Sequence, residues 1–328
     1  MKIDSPDQHV IWPDKFGRHF LISIDTEEEF DWNAPFQRDG HTTISVPMLK
    51  KFQEFIEKYR IKPVYFIDYS IVEDDDAVSF LRAVAENESA EIGVHLHPWI
   101  NPPFEEEINN YNSFAGNLPK DLEEKKLVAL RDVIRDKIGV TPTIYRAGRY
   151  GIGPHTMDLL LKHGFVMDSS IRSGFDYSGQ GGPDFLGVGS EPFWWGGDNK
   201  LLEVPLTTVY SGLLRKQGRL AAPIMQKSPL ISAVLSKTQM IGRIPLTPEG
   251  VSARETKEAI DIALDDGLQL LVFSFHSPSL SPGHTPYVRT AEDLDGFYDW
   301  WREVIEHLEM RGVKPIDIDR LVKAASGV

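Results

Sequence analysis

Segments typical of strands and of helices alternate along nearly the whole chain, and this alternation constrains the fold more than any other feature. The first apolar run, "HFLISID" (19–25), is continuous and partly β-branched, as in a strand that is buried on both faces. The segment after it begins at Ser45, a residue type favoured at helix N-caps, and then repeats apolar residues at helical spacing. Such alternation predicts parallel strands that are joined by helical crossovers.

The number of alternating segments indicates a particular parallel architecture. Further strands are predicted at 62–70, 90–96, 142–148, 165–171, 200–209, 268–276 and 313–318, and helices at 75–87, 120–138, 154–163, 249–266 and 291–310. The pattern predicts one α/β domain over 1–328, a distorted (β/α) barrel of seven to eight parallel strands with insertions. A doubly wound open sheet is the alternative, but no Gly-x-Gly-x-x-Gly motif follows the first strand.

Composition and charge argue against several classes of protein. Hydrophobic residues make up 41% of the chain, enough for a sizeable core, yet no apolar run approaches the roughly 20 residues that span a bilayer. The net charge of −14 argues against a nucleic-acid-binding protein, which would need a basic surface. Cysteine is absent, so a metal would be held by His, Asp or Glu. The N-terminal residues lack the pattern of a signal peptide, so we expect a cytoplasmic enzyme.

One segment departs from the acidic average. No acidic residue occurs between Val204 and Pro248, whereas six basic residues do, and this basic insertion is placed at about 210–247. The six are Arg215, Lys216, Arg219, Lys227, Lys237 and Arg243. The segment is interpreted either as a solvated insertion or as a lid or platform facing an anionic ligand, such as a nucleotide-sugar diphosphate or an acidic glycan.

Polar residues stand where the predicted strands end. Barrel enzymes carry their chemistry at the carboxyl ends of the strands, so residues there share one rim. These strand-end residues are Asp25, Glu27, Asp68, His95, His97, Arg146, Asp168 and His276. Together they supply the carboxylates, imidazoles and guanidinium group that metal-assisted hydrolysis uses.

His95 and His97 stand two apart in "EIGVHLHPW" (91–99), so in an extended strand they point to the same side. Two imidazoles on one face could bind a metal, or they could be ordinary strand histidines with satisfied hydrogen bonds. The spacing alone leaves both interpretations open.

The ordered series of motifs resembles the polysaccharide deacetylase superfamily, carbohydrate esterase family 4 with its NodB homology domain, over roughly residues 18–320. The motifs are "ISIDTEEEF", "GVHLHPW", "YRAGRYG", "MDSSI" and "VFSFH", and "HLHPW" with "FSFHSPSL" suggests the WalW-like branch of bacterial surface-polysaccharide clusters. The second acid of the family motif is Thr26 here, so Glu27 is taken as its substitute. The second histidine is Trp99 here, so His97 is taken as its substitute.

The resemblance implies a role for each residue. Catalytic roles fall to Asp25 as base, His276 as acid, Arg146 as the group that orients the base, Asp168 as partner of His276, and Tyr150 for a backbone N–H at the oxyanion. Glu27, His95 and His97 would bind a divalent metal, most simply Zn²⁺. Trp32, Trp99, Asp68 and Arg243 are assigned to substrate binding, the tryptophans by stacking on sugar rings.

The resemblance therefore implies hydrolysis of an N-acetyl group from an amino sugar, possibly nucleotide- or lipid-linked, in bacterial surface-polysaccharide (lipopolysaccharide) biosynthesis. Two alternatives are a metal-independent amidohydrolase of the allantoinase type that acts on a small amide, and a catalytically inactive carbohydrate-binding homologue. Metal content separates the first alternative from the deacetylase, and acetate release separates the second.

Overall fold

A curved sheet of nine strands forms the centre of the protein. The computed structural model describes residues 2, 8–31, 34–196, 201–218, 228 and 240–327. The strands are β1 (His19–Thr26), β2 (Val64–Ile67), β3 (Glu91–Leu96), β4 (Ile144–Ala147), β5 (Met167–Asp168), β6 (Phe193–Trp195), β7 (Leu201–Glu203), β8 (Thr208–Ser211), β9 (Gly242–Pro245), β10 (Leu270–His276) and β11 (Lys314–Pro315). The helices are α1 (Val46–Glu57), α2 (Tyr69–Glu73), α3 (Asp75–Glu86), α4 (Lys120–Ile138), α5 (Thr156–Lys162), α6 (Ala253–Asp265), α7 (Ala291–Met310) and α8 (Ile318–Ala325).

The sheet follows the order β10-β1-β2-β3-β4-β5-β7-β6, and β11 pairs with β1. Its paired strands are parallel except for β6, which is antiparallel to β7, while β8 and β9 form a separate hairpin. The base of that hairpin reaches β10, because the Thr207 N–H donates to the Val272 carbonyl and the Ser274 N–H donates to that of Leu246. The strands therefore curl into the distorted barrel that the alternation predicts, and the predicted fold class is confirmed.

Alternation along β1 separates the barrel interior from the layer of helices. Phe20, Ile22 and Ile24 belong to the large core cluster that includes the helices, whereas Leu21 belongs to a second cluster inside the barrel. Because side chains alternate along a strand, Asp25 shares the interior side with Leu21. The carboxyl end of β1 therefore delivers an acid into the mouth of the barrel.

Several predicted elements have different bounds. The single strand predicted at 200–209 is split into β7 and β8, because Pro205 has no N–H to continue the ladder and the chain leaves the main sheet there. The strand predicted at 313–318 is only β11, followed by the helix α8. Helix α1 does begin beside Ser45, but its hydroxyl makes no capping bond. Within the described residues, no helix combines the length and the apolar character that crossing a membrane requires.

Candidate active site

A cavity of about 280 Å³ opens at the carboxyl ends of the barrel strands. The residues assigned from the sequence that line it are Asp25, Glu27, His95, His97, Trp99, Tyr150 and His276. They come from the carboxyl ends of β1, β3 and β10 and from the turn after β4. In the curved sheet β10 adjoins β1, and β3 adjoins β4. Five of the eight predicted strand-end residues therefore share this cavity, whereas Asp68, Arg146 and Asp168 are not among its lining residues.

Three ligand atoms converge at one side of this cavity. The Nε2 atoms of His95 and His97 are 3.0 Å apart, and Glu27 Oε2 lies 3.3 Å from the first and 3.4 Å from the second. Ligands about 2.0–2.2 Å from a tetrahedral metal stand about 3.3–3.6 Å from each other, so the two sides to Glu27 have the dimensions of such a site and the side between the imidazoles is somewhat shorter. All three side chains are buried.

The remaining ring nitrogens fix the orientation of both imidazoles. His95 Nδ1 donates to the backbone carbonyl of Arg146 at 3.1 Å, and His97 Nδ1 donates to the Glu28 carboxylate at 3.0 Å. Burial lowers the pKa of His95 to about 3 and that of His97 to about 4, so both rings are neutral near pH 7. Each Nε2 then presents a lone pair to the triangle.

The donor set fits a divalent cation. Because both Nδ1 atoms donate to other groups, the two Nε2 atoms face each other and the Glu27 carboxylate oxygen as acceptors. Burial also raises the pKa of Glu27 well above its usual range, which means that its charged form needs a compensating positive charge. Nitrogen and oxygen ligands of this kind suit Zn²⁺ and related ions.

Trp99, where the resemblance would place a second histidine, packs behind the candidate ligand His97. Its ring stacks on His97 with centroids 4.3 Å apart, and its Nε1 donates to Glu28 at 3.0 Å. Only 3% of Trp99 is exposed, so its contribution to the cavity is an edge and not the open sugar-stacking face that was expected. Glu28, which the sequence analysis left unassigned, thus holds both His97 and Trp99.

Asp68 was assigned to substrate binding, and this assignment is wrong. Its side chain is fully buried and accepts hydrogen bonds from the backbone N–H groups of Glu28 and Ile71 and from the Ser70 hydroxyl. Burial, followed by the charge of Glu28, raises the pKa of Asp68 to about 8. Asp68 lies 3.8 Å from His97 Nδ1 and so belongs to the packing behind the metal ligands.

Arg146 holds Asp25, as the resemblance implies. Its fully buried guanidinium donates to Asp25, to Ser23 Oγ at 2.8 Å, and to the Ser169 carbonyl and hydroxyl at 2.9 and 3.0 Å. Burial alone would raise the pKa of Asp25, but Arg146 and the neighbouring imidazoles outweigh it and lower that pKa to about 2. Asp25 is therefore ionised and fixed in orientation.

His276 is held by Glu249, and the prediction that Asp168 holds it is wrong. His276 Nδ1 lies 2.7 Å from Glu249 Oε2, and the His276 N–H donates to Oε1 of the same carboxylate at 3.1 Å. Ser279 Oγ donates to that Oε1 at 2.6 Å. Burial alone would lower the pKa of His276, but Glu249 and then Glu27 outweigh it and raise it to about 10.

Asp168 lies away from His276 because its strand, β5, is two positions beyond β3 in the sheet order, whereas His276 ends β10 at the other side of β1. It is fully buried and accepts a hydrogen bond from Ser170 Oγ. It faces Glu203, its register partner on β7. Burial raises the pKa of both Asp168 and Glu203, so this pair shares protons below the site.

The turn after β4 brings the backbone close to the histidines. Arg149 and Tyr150 both adopt left-handed backbone conformations, with φ of 55° and 60°. Gly148 is packed so closely that an added Cβ would lie 2.3 Å from His97 Cδ2. Such strain at a functional turn is compatible with the oxyanion role assigned to the Tyr150 backbone, which stays a prediction.

Two assignments lie outside the cavity. Trp32 is outside the described residues. Arg243 donates to the Gly174 carbonyl at 2.7 Å, lies over the Phe175 ring at 3.8 Å, and is not among the lining residues, so its assignment is wrong. Glu249 was not among the residues predicted from the sequence, although it is the first acid after the acid-free segment, and neither were the lining residues Arg149 and Arg172.

The fold resembles several solved structures at low sequence identity. One, provisionally described as a polysaccharide deacetylase from Mycobacterium smegmatis, is 16% identical with a TM-score of 0.55, covering 98% of this chain and 94% of that chain. Puue allantoinase is 13% identical with a TM-score of 0.53, covering 98% and 95%. A 4-alpha-glucanotransferase from Thermococcus litoralis is also 13% identical, with a TM-score of 0.53 over 94% of this chain and 40% of its own.

These likenesses establish the fold, and the three described activities differ from one another. No model of a protein family matches the sequence, and no curated protein matches it either. The barrel is thus one that a polysaccharide deacetylase shares, and the activity of this chain has to be argued from its own side chains.

Proposed function

We propose that the protein is a metal-dependent hydrolase that removes an N-acetyl group from an amino sugar. The observation that carries the proposal is the triangle of Glu27, His95 and His97 beside two oppositely charged pairs, Asp25 with Arg146 and His276 with Glu249. A metal site, an ionised carboxylate and a protonated imidazole around one cavity are the groups that amide hydrolysis needs.

Glu27, His95 and His97 would hold the cation, which we propose to be Zn²⁺. When bound there, a divalent cation supplies Lewis-acid chemistry, since it acidifies water and polarises a carbonyl oxygen. The hydrogen bonds of His95 to Arg146 and of His97 to Glu28 keep the two Nε2 atoms directed at the cation position.

The side chains then divide the proton transfers between them. Asp25 accepts a proton from the water that adds to the acetyl carbonyl, and Arg146 keeps the carboxylate ionised and oriented. His276, protonated because its pKa is about 10, gives its proton to the sugar nitrogen as the C–N bond breaks. The products are acetate and a free amine, and each transfer contributes about 10²–10⁴ to the rate.

The finer features of the substrate are part of the same proposal. As the substrate we propose an amino-sugar precursor of a bacterial surface polysaccharide, a proposal that rests on the WalW-like motifs. The description of one fold relative as a polysaccharide deacetylase supports the sugar class. The backbone N–H near Tyr150 would hydrogen-bond the oxyanion.

Metal content and acetate release test the proposal together. The purified protein should carry a near-stoichiometric divalent ion, lose acetate release on treatment with a chelator, and regain it with Zn²⁺. His97→Ala should lose both the ion and the activity, whereas Arg135→Met, on the exposed side of α4, should keep both. N-acetylglucosamine oligomers and their 1-phosphate and carboxyl-bearing analogues serve as substrates.

Two other outcomes identify the alternatives. Amide hydrolysis that persists in fully metal-free protein would assign the chain to the metal-independent amidohydrolases, a class in keeping with its likeness to an allantoinase fold. Sugar binding by the metal-loaded protein without release of acetate from any substrate would identify a carbohydrate-binding homologue.

A further inference from the structure

Two arginines line the cavity but have no part in the proposed reaction. Arg149 lies in the turn after β4, and Arg172 lies in the loop after β5. Both side chains are half-buried. They face the same cavity as Asp25 and His276, so their charges act on whatever molecule occupies it.

Arg172 has aromatic neighbours, Tyr177 among them as a hydrogen-bond partner, and the nearest carboxylate charge that acts on it is that of Glu249, beyond ion-pair distance. Its guanidinium carbon lies 4.1 Å from the centre of the Phe175 ring and 5.5 Å from that of Tyr150. No acidic residue in the described parts of the chain forms an ion pair with it within 4 Å. Its backbone is bridged to Leu206, which anchors the start of the side chain beside the sheet.

Arg149 likewise has only neutral partners among the described residues. Its guanidinium donates to the Asn110 side chain at 2.9 Å, to Ser113 and to Gln180, and it lies 4.1 Å from the centre of the Phe114 ring. These contacts fix the position of the group without neutralising it. Burial lowers the pKa of Arg149 to about 10, so it remains charged near pH 7.

Two other strong charges of the site are matched within the protein. Asp25 contacts Arg146, and His276 contacts Glu249, so each of these charges has an opposite charge beside it. A desolvated charge without a counter-charge is costly, and a site that keeps two of the same sign is suited to a ligand that supplies the opposite sign. A divalent cation at the nearby ligands adds further positive charge.

We propose that Arg172, with Arg149 beside it, binds an anionic group, a carboxylate or a phosphate, carried by the N-acetylated substrate itself. This inference rests on the proposed N-deacetylase function and narrows its substrate class. The planar guanidinium of arginine matches both oxyanions through two parallel hydrogen bonds. The centre of the Phe175 ring lies 4.1 Å from the guanidinium carbon of Arg172 and 3.8 Å from that of Arg243, so the ring supports the position of the Arg172 group.

The proposed anion site consists of Arg172 and Arg149 and does not include the basic insertion at about 210–247. Arg215, the first basic residue of that segment, forms an ion pair with Asp266 at 2.9 Å and does not line the active-site cavity. Arg219, Lys227 and Lys237 lie outside the described residues. Arg172 therefore stands nearer to the chemistry than the described part of the insertion does.

Substrate discrimination tests the inference. Acetate release is measured on three substrates with the metal-loaded enzyme: N,N'-diacetylchitobiose, which is neutral, N-acetylmuramic acid, which carries a carboxylate, and N-acetylglucosamine 1-phosphate. The wild type should favour at least one charged sugar, and Arg172→Met should raise KM for it about 10–100-fold with little change on N,N'-diacetylchitobiose. Arg172→Lys should recover part of the loss, and Arg135→Met should leave all three substrates unchanged. The charged sugar that loses most identifies the oxyanion.

Each outcome decides one of the two proposals. Equal efficiency on all three sugars, or an equal loss on all three in folded Arg172→Met, overturns the anion site and leaves the deacetylase standing. If no sugar releases acetate, calorimetric binding of the two charged sugars is compared in wild type and Arg172→Met. Binding that depends on Arg172 then supports the anion site while the deacetylase fails, and its absence overturns both.

Discussion

His276 Nε2 lies 3.8 Å from Asp25 Oδ2, so the proposed acid and base face each other across adjacent strands. The two residues are register partners at the carboxyl ends of β1 and β10. Each is held on its far side by an oppositely charged partner, Arg146 for Asp25 and Glu249 for His276. Sheet register therefore sets the separation of the two groups, while the partners set their protonation.

Removing either proton-transfer group should stop turnover without unfolding the protein. Asp25→Asn keeps the shape of the side chain and removes the base, and His276→Ala removes the acid. We expect kcat to fall about 10²–10⁴-fold in each variant because each contributes one proton transfer. Acetate release gives the rate and circular dichroism checks the fold. Normal folding with undiminished kcat in either variant would contradict the assignment.

Replacing Glu249 should change the pH dependence of the reaction. Glu249→Gln keeps hydrogen-bonding capacity near His276 but removes the negative charge that raises its pKa to about 10. Loss of a negative neighbour lowers the pKa of an imidazole, so the alkaline limb of the kcat profile should move to lower pH. Rates measured from pH 5 to 10 provide the comparison. Asp168→Asn is the matched control, and a shift as large in that variant as in Glu249→Gln would argue against this pairing.

Metal affinity should depend on a residue that does not touch the metal. Glu28→Gln removes the carboxylate that accepts from both His97 Nδ1 and Trp99 Nε1. We expect affinity for Zn²⁺ to fall about 10–100-fold, as for other carboxylates that orient a ligating histidine. Competition with a chromophoric chelator measures it. An unchanged affinity would mean that stacking on Trp99 alone orients His97.

Gly148 should accept no side chain. In Gly148→Ala the new Cβ would lie 2.3 Å from His97 Cδ2 and 2.7 Å from the Leu96 carbonyl, so the ring or the turn must shift. We expect a loss of about 1–3 kcal/mol in stability, together with weaker metal binding. Gly296→Ala is the control, because nothing lies within 4 Å of its Cβ position in α7, and it should stabilise by about 0.5–1 kcal/mol. Thermal melts of both variants test the contrast.

The strand ends were predictable because parallel strands bring their carboxyl ends to one rim. This rule placed Asp25, His95 and His276 at the cavity from the sequence alone. Arg146 was expected at the same rim as the end of a predicted strand, and it lies there on β4 in register with His95 on β3.

The partner of His276 was not predictable in the same way. Glu249 arrives from the loop between β9 and α6, and the path of a loop is set by tertiary packing and not by strand periodicity. Asp168 sits at a strand end too, but its neighbour in the sheet is β7, which supplies Glu203 instead. Asp68 and Trp99 are buried and so cannot present an open face to a substrate, and single-residue patterns carry little information on burial.

The run of three acids in "DTEEEF" separates into three different functions. Glu27 faces the cavity, Glu28 supports His97 from behind, and Glu29 accepts from the N–H groups of Ile44 and Ser45 at the start of α1. A survey of all substitutions in this run should thus yield three phenotypes: a stable protein without metal, a stable protein with weakened metal, and a protein that melts early. Three adjacent glutamates would then affect three separate properties: the presence of the metal site, the affinity of that site for its metal, and the stability of the fold.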